Sequence, residues 1–323
     1  MNATVLPSTL IDVAATEGAA LRHLPLPSAE RGLAYAWRWW TGALAGLTRR
    51  HQLVLGRSGR YGADFQRSAA LDDAFASLFD LRRLEPEGTA YPFLHAQSVV
   101  DLLQVQVLAD LGVNWRHVQH LRHRMRLTAG EAAYLATREQ RLECRLARAV
   151  RIAPTEVLAI IETRISDTDG LTVASVEDAF VLRGLQVAET VQAEEDDLLR
   201  RAIHRMRRHL PEIDARAADV RLRQLYLAPD ASARFARVGG ARAPETRSAL
   251  GARLAGRRSA AVQEAYLRHL VSRELAEWGI EQPCLQIVYA SRAKPGQTLS
   301  LLLQGRCFEL VDARGRLVAW GKA

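Results

Sequence analysis

His95, Gln97 and Asp101 stand at the head of a strongly apolar segment and offer an imidazole, an amide and a carboxylate. Acid–base chemistry on a small substrate needs such groups within hydrogen-bond reach of one another or of the reacting atom. His95 and Asp101 are six positions apart, so a helix alone does not set them face to face. A core or capping histidine and a buried or capping aspartate are the plainer roles for the same residues. A second polar pair, Gln263 and Glu264, opens another helix and could face a pocket or simply suit the helix N-terminus. Glu245 lies in the turn-rich stretch ahead of that pair. Cys144, Cys284 and Cys307 are scattered and odd in number, which fits a reducing cytoplasm rather than a disulfide framework. No His/Cys cluster has metal spacing, and no glycine-rich phosphate loop is visible, so neither a metal nor a bound nucleotide cofactor is expected.

The elements that would position these groups follow from hydrophobic periodicity. Val99, Leu102, Leu103, Val105, Val107 and Leu108 make the helix after Tyr91-Pro-Phe-Leu-His95 apolar over much of its girth, as in a buried helix. Gly112 ends it. Val118 to Met125 alternates, and three strand-like runs follow at 142–152, 156–165 and 171–182, with a turn at Asp167-Thr-Asp-Gly170. Ahead of the helix, 51–55 reads as a strand and 64–81 as an amphipathic helix. Trp37, Trp39 and Trp40 suit a core or a subunit interface, and residues 1–27 are weakly patterned.

The second half repeats this order. A charged helix over 191–210, acidic early and basic late, is expected as a solvated connector or as a dock for phosphate or an acidic carrier protein. Strand-like 220–227 and a short helix over 230–238 come next. A long helix over 261–278 follows, then strands at 285–289, 298–307 and 317–320. Each half therefore reads as a short strand, a buried helix and then three strands. The fold class is α+β, with residues 1–190 and 213–323 as two units joined by 191–212.

Bulk composition narrows the function. No apolar run approaches a bilayer span, and the first twenty residues lack the basic-then-apolar pattern of a secretory signal. A cytoplasmic protein is expected. The net charge of +8 is spread along the chain, and aromatics are only 6%, which argues against nucleic acid as the partner.

Ala90-Tyr-Pro-Phe-Leu, His120-Leu-Arg-His-Arg-Met, Val176–Gly184 and Phe235–Thr246 together resemble motifs of the MaoC-like hydratases and dehydratases in their double-hotdog form, in which two antiparallel sheets each wrap a long central helix. Ala90-Tyr-Pro-Phe-Leu resembles the Thr-Tyr-Pro lead-in to the family's first central helix. His120-Leu-Arg-His-Arg-Met resembles its His-x-x-Asn-Arg-Ile strand, and Val176–Gly184 resembles its last strand. The segment Phe235-Ala-Arg-Val-Gly-Gly-Ala-Arg-Ala-Pro-Glu-Thr246 resembles the functional segment Tyr-Ala-x-x-Ser-Gly-Asp-x-Asn-Pro-Ile-His. Phe235, Gly240, Pro244 and Gly256 keep the frame.

The departures matter more. The family's catalytic Asp falls on Ala241, its His on Thr246 and its Asn on Ala243, while Gln263 stands where a His precedes the helix. In the family, as the resemblance implies, the Asp and His act through water on a 2-enoyl thioester. Each such group typically supplies about 10²–10⁴-fold in rate. The resemblance therefore implies an acyl-thioester-binding pseudoenzyme or accessory subunit of fatty-acid or polyketide metabolism. Its ligand would be coenzyme A or phosphopantetheine, with an acyl carrier protein, a dehydratase or a synthase as partner, in a monomer or homodimer. Gln97, Gly240 and Glu264 would line the ligand. The other reading is an active dehydratase, hydratase or thioesterase working near His95 and Asp101.

Overall fold

The computed structural model describes residues 9–11, 20–23, 59–66, 74, 77–78, 97–111, 113, 117–153, 155–184, 203–205, 208, 211–239, 249–254 and 260–323. The elements in chain order are β1 (Thr9–Ile11), β2 (Leu21–His23), β3 (Arg60–Gln66), α1 (Gln97–Asp110), β4 (Val118–Leu127), α2 (Glu131–Ala136), β5 (Glu139–Ala153), β6 (Glu156–Ser166) and β7 (Thr172–Arg183). The second half continues with β8 (Arg221–Tyr226), α3 (Ala231–Gly239), α4 (Ala249–Leu254), α5 (Glu264–Glu277), β9 (Cys284–Tyr289), β10 (Thr298–Gln304), β11 (Cys307–Asp312) and β12 (Leu317–Lys322).

All twelve strands form one sheet in the order β2-β3-β5-β6-β7-β4-β9-β12-β11-β10-β8, with β1 added on β5. From either outer edge the two halves read alike: β3-β5-β6-β7-β4 on one side, β8-β10-β11-β12-β9 on the other. The halves meet at the centre, where β4 pairs antiparallel with β9 from Arg122 opposite Val288 to Arg126 opposite Cys284. Each half supplies one long helix to the same face of the sheet. This is a double hotdog, with four strands after each central helix rather than the three that the sequence pattern suggests.

The core explains the arrangement. Val99, Val100, Leu102, Leu103, Val105, Val107 and Leu108 of α1 are all buried, so its girth is covered on every side. Burial of that much apolar surface, at about 25 cal/mol per Å², outweighs the weak helix propensity of four valines. Leu267, Leu270, Val271 and Leu275 of α5 join the same cluster as the inner face of the sheet. The outer face carries a second cluster of Leu121, Leu158, Ile160, Ala179, Val181 and Val288, joined by Ile203 and the partly buried Ile213. Strands buried on both faces read as near-continuous apolar runs, which is how β6 and β7 read.

Two expectations fail for identifiable reasons. Asp64 to Gln66 belongs to strand β3, not to a helix starting at Asp64. Tyr61, Ala63 and Phe65 alternate into the core while β3 pairs with β5 from Tyr61–Cys144 to Gln66–Glu139. Tertiary pairing overrides the helical spacing there; further along, Ala74, Ser77 and Leu78 are helical as expected. The run 298–307 is not one strand but a hairpin, turned at Gly305-Arg306 with Gln304 opposite Cys307. Gly305 has φ 60°, a conformation that glycine adopts without steric cost.

Residues near the N-terminus do find places: β1 pairs with β5, and β2 runs parallel to β3. The strand expected at 51–55, Trp37, Trp39, Trp40 and Gly112 lie outside the described residues, as does most of 191–210. The part of that connector that is described turns inward. Ile203 is buried, and Arg205 stacks 4.8 Å over Trp320 and ion-pairs with Glu309 on β11. The Glu309 carboxylate, 2% exposed, also accepts from the backbone N–H of Glu212 (2.9 Å) and Ile213 (3.2 Å). Among the described residues, no helix is long and apolar enough to cross a membrane.

Candidate functional site

A buried cluster of two histidines and an aspartate lies beside the central seam, on β4 and β7. Asp178 sits on β7 among Ala174, Val176, Phe180 and Leu182, all packed into the inner core, so strand parity turns its carboxylate inward. His123 on β4 lies directly opposite Asp178 in the ladder. Strict alternation would send His120, three positions earlier, to the other face. A register shift between His120 and Arg122 breaks the parity instead. Leu121 then joins the outer cluster, and His120 and His123 both turn inward.

The two imidazoles meet on one carboxylate oxygen. His120 Nε2 and His123 Nδ1 each lie 2.7 Å from Asp178 Oδ1. The Gln104 amide on α1 donates to the other oxygen, Oδ2. His120 Nε2 is also 3.1 Å from the Arg122 carbonyl. The His120 ring stacks on Phe180 at 4.7 Å and leans on Tyr289 at 5.0 Å. Asp178 and His123 are each 1% exposed, whereas the His120 side chain is 18% exposed. An ionised carboxylate only accepts hydrogen bonds, so both rings present N–H to it. His123 Nε2, on the far side of its ring, is buried and has no hydrogen-bond partner among the described residues.

Electrostatics separates the three groups. Burial, followed by the charge of Arg268 on α5, pushes the His123 pKa down to about 4, so this ring is neutral near pH 7. Burial also opposes charge on His120, but the hydrogen bond to Asp178 and its negative charge outweigh it, and its pKa is raised. Burial would raise the pKa of Asp178; the charge that His123 takes up below about pH 4, with the bond and charge of His120, overcomes this and holds it well below the usual carboxylate range. Of the two histidines, His120 is therefore the one whose charged form Asp178 favours. The three donor atoms of His120, His123 and Asp178 lie within 4.8 Å of one another.

His120 forms part of the wall of a cavity of about 290 Å³ at the junction of the two halves. His117, Arg183, Glu264, Tyr289 and Arg292 also line it. Glu264 opens α5, so the first turn of that helix borders the cavity. Tyr289 donates to the Glu264 carbonyl at 3.3 Å, and burial raises the Tyr289 pKa, keeping the phenol protonated.

The residues singled out in the sequence fare unevenly. Glu264 lines the cavity. Gln263 is buried at the cap position of α5, where its side chain makes no capping hydrogen bond. Asp101 is half-buried on α1, and its charge reaches Tyr289. Gln97 is the first residue of α1. His95, Gly240, Ala241, Ala243, Glu245 and Thr246 lie outside the described residues. Cys144, Cys284 and Cys307 are free, and burial pushes the Cys144 thiol up to about 12, which makes it a core residue rather than a nucleophile.

Sequence reasoning does not single out His120, His123, Asp178, Gln104 and Tyr289 as site residues. A period of two puts the histidines on opposite faces, and a bulge leaves no mark in composition. The signals in the sequence are the His120-Leu-Arg-His123 spacing of the family-like strand and Asp178, an acid close to Val176, Ala179, Phe180 and Val181 on β7.

No family model and no curated protein matches this sequence. The fold, in contrast, is similar to that of several solved structures. One is a MaoC-like dehydratase from Phytophthora capsici, with a TM-score of 0.63 at 12% identity over 82% of this chain and 95% of that one. Another is the full-length peroxisomal multifunctional enzyme type 2 from Drosophila melanogaster, with a TM-score of 0.58 at 16% identity over 83% of this chain; the match spans 48% of that enzyme. A third is HtdX of Mycobacterium tuberculosis, with a TM-score of 0.55 at 15% identity over 81% of this chain and 98% of that one. Likeness at such identities is likeness of fold. The chain is a double hotdog of the architecture seen in a MaoC-like dehydratase.

Proposed function

We propose that this protein binds acyl thioesters whose handle carries phosphate, either coenzyme A or the phosphopantetheine of an acyl carrier protein. On this reading it does so without the family's usual Asp/His hydration chemistry, as a pseudoenzyme or accessory subunit in fatty-acid or polyketide metabolism. The observation that carries the reading is the seam cavity. Its lining combines Arg292, His117, His120 and Arg183, which also pairs with Glu156, with the first turn of α5, where Glu264 is the one carboxylate among the described lining residues. Cationic side chains and helix N-termini both favour phosphate and a polarised carbonyl oxygen. Ala241 and Thr246, at the positions that the resemblance assigns to the catalytic pair, supply neither an acid nor a useful base.

Calorimetry with acyl-coenzyme A of increasing chain length tests the binding. Affinity should rise with chain length and fall about tenfold or more in Arg183→Ala/Arg292→Ala; no binding at any length refutes the proposal. Enoyl- and 3-hydroxyacyl-thioesters should not interconvert. Ala241→Asp with Thr246→His should restore some hydration if the pocket has survived. A second reading, an active enzyme near His95 and Asp101, draws on the half-buried carboxylate of Asp101 on α1. Turnover by the wild type that disappears in Asp101→Ala or His95→Ala would select it.

A further inference from the structure

We propose that His120, His123 and Asp178 form a binding site for one divalent d-block cation, of which zinc is the representative, behind the His120 wall of the seam cavity. The site is independent of the acyl-thioester reading: it rests on donor geometry alone. Three donors converge from two adjacent strands, His120 Nε2 and His123 Nδ1 from β4 and Asp178 Oδ1 from β7, all within 4.8 Å. Two imidazoles and one carboxylate suit zinc and its neighbours rather than magnesium or calcium, which prefer oxygen. Three protein ligands with a fourth position open is the arrangement of catalytic zinc sites.

The fit needs the three side chains to rearrange. Zinc lies about 2.0–2.2 Å from such donors, so tetrahedral ligand atoms stand about 3.4 Å apart. Each histidine nitrogen now stands 2.7 Å from Oδ1 and must move away from it, while the two nitrogens, up to 4.8 Å apart, must draw together, both by χ rotation on a paired sheet. The ion takes the place of the two N–H protons now aimed at Oδ1. His120 gives up its Nε2 proton, to solvent from the charged ring or to its own Nδ1 in the neutral one; the His123 proton moves from Nδ1 to Nε2, the ring nitrogen that has no hydrogen-bond partner among the described residues. Gln104 keeps hold of Oδ2 and fixes the carboxylate plane, the role that outer partners play around metal ligands. The nearby charges on α5 have opposite signs, Glu264 and Arg268, and both act on His120. Because His120 lines the cavity, the fourth position opens toward it, where water or a carbonyl oxygen of a ligand would sit.

The experiment uses the full chain, stripped with chelator and titrated with Zn²⁺ by calorimetry and with Co²⁺ by visible absorption. The expected result is one ion per chain, with cobalt d–d bands of a four- or five-coordinate site containing nitrogen ligands. His123→Asn and Asp178→Asn should each weaken binding by about 100-fold or more. His123→Asn keeps an N–H for Asp178, and circular dichroism shows whether it folds. The wild-type cobalt spectrum tests the proposal even if neither variant folds. Absence of saturable binding, six-coordinate oxygen-type cobalt spectra, or undiminished binding in folded variants would overturn the proposal. The last result would place the ion on exposed groups such as Cys307.

Discussion

Lowering the pH from 7 to 4 should destabilise this protein through one residue, His123. Burial and the Arg268 charge hold its pKa at about 4, against 6.5 in the unfolded chain. As pH falls through about 6.5, the unfolded chain takes up a proton that the folded protein refuses until about 4. Stability from this group is therefore complete above about 6.5 and declines down to about 4. At about 1.4 kcal/mol per pH unit, the interval is worth about 3 kcal/mol. The groups facing His123 act elsewhere on the pH axis. His120 has a raised pKa, so its contribution is present below about 6.5 and is lost only as pH rises through the raised value. Asp178 is held well below the carboxylate range, so its contribution is lost only at lower pH. Urea unfolding of chelator-treated protein at half-unit pH steps, for wild type and His123→Asn, isolates the effect. In the variant, Asn can offer an N–H where His123 Nδ1 now stands, but it does not titrate. The wild type should lose about 3 kcal/mol more than the variant between pH 6.5 and 4. Parallel curves would refute the assignment of a neutral, buried His123.

Two further predictions concern the frame around the site. Gly321 sits on β12 against β9, where an added Cβ would collide with the Gln286 carbonyl and stand 2.6 Å from Phe308 Cζ. Gly321→Ala should lower stability by about 1–3 kcal/mol, and an unchanged urea midpoint would contradict the tight packing of β12 against β9. Glu309→Ala leaves Arg205 and two backbone N–H groups without their buried carboxylate, which should cost about 3 kcal/mol and free the connector for proteolysis. Wild-type protease resistance in that variant would argue against the staple.

Much of the fold is legible in the residues because burial leaves a pattern. The all-round apolar α1 and the runs that become β5, β6 and β7 announce themselves, and the repeated order of the two halves follows from them. The joining of the halves into one sheet is not legible, since the β4–β9 pair spans much of the chain and no local signal marks partners so far apart. The error at Asp64 has the same origin: β5 decides that segment from a distance. The site is less legible still. His120 and His123 look like residues of opposite faces until the bulge is known, and Asp178 has no neighbour in sequence with which to form a motif. His95, Gln97 and Asp101 draw attention to a helix, whereas the buried cluster of acid–base groups is on strands. Glu264 is legible because a helix start is visible in sequence, and a helix start is also where this cavity lies.

If the seam cavity holds the reacting end of an acyl thioester, a crystal structure with a non-hydrolysable acyl thioether of coenzyme A should show it there. The sulfur and first acyl carbons are expected between His120 and Tyr289, with the pyrophosphate at Arg183 and Arg292. A ligand bound away from β4 and β9, or a seam left empty at saturating ligand, would contradict that placement.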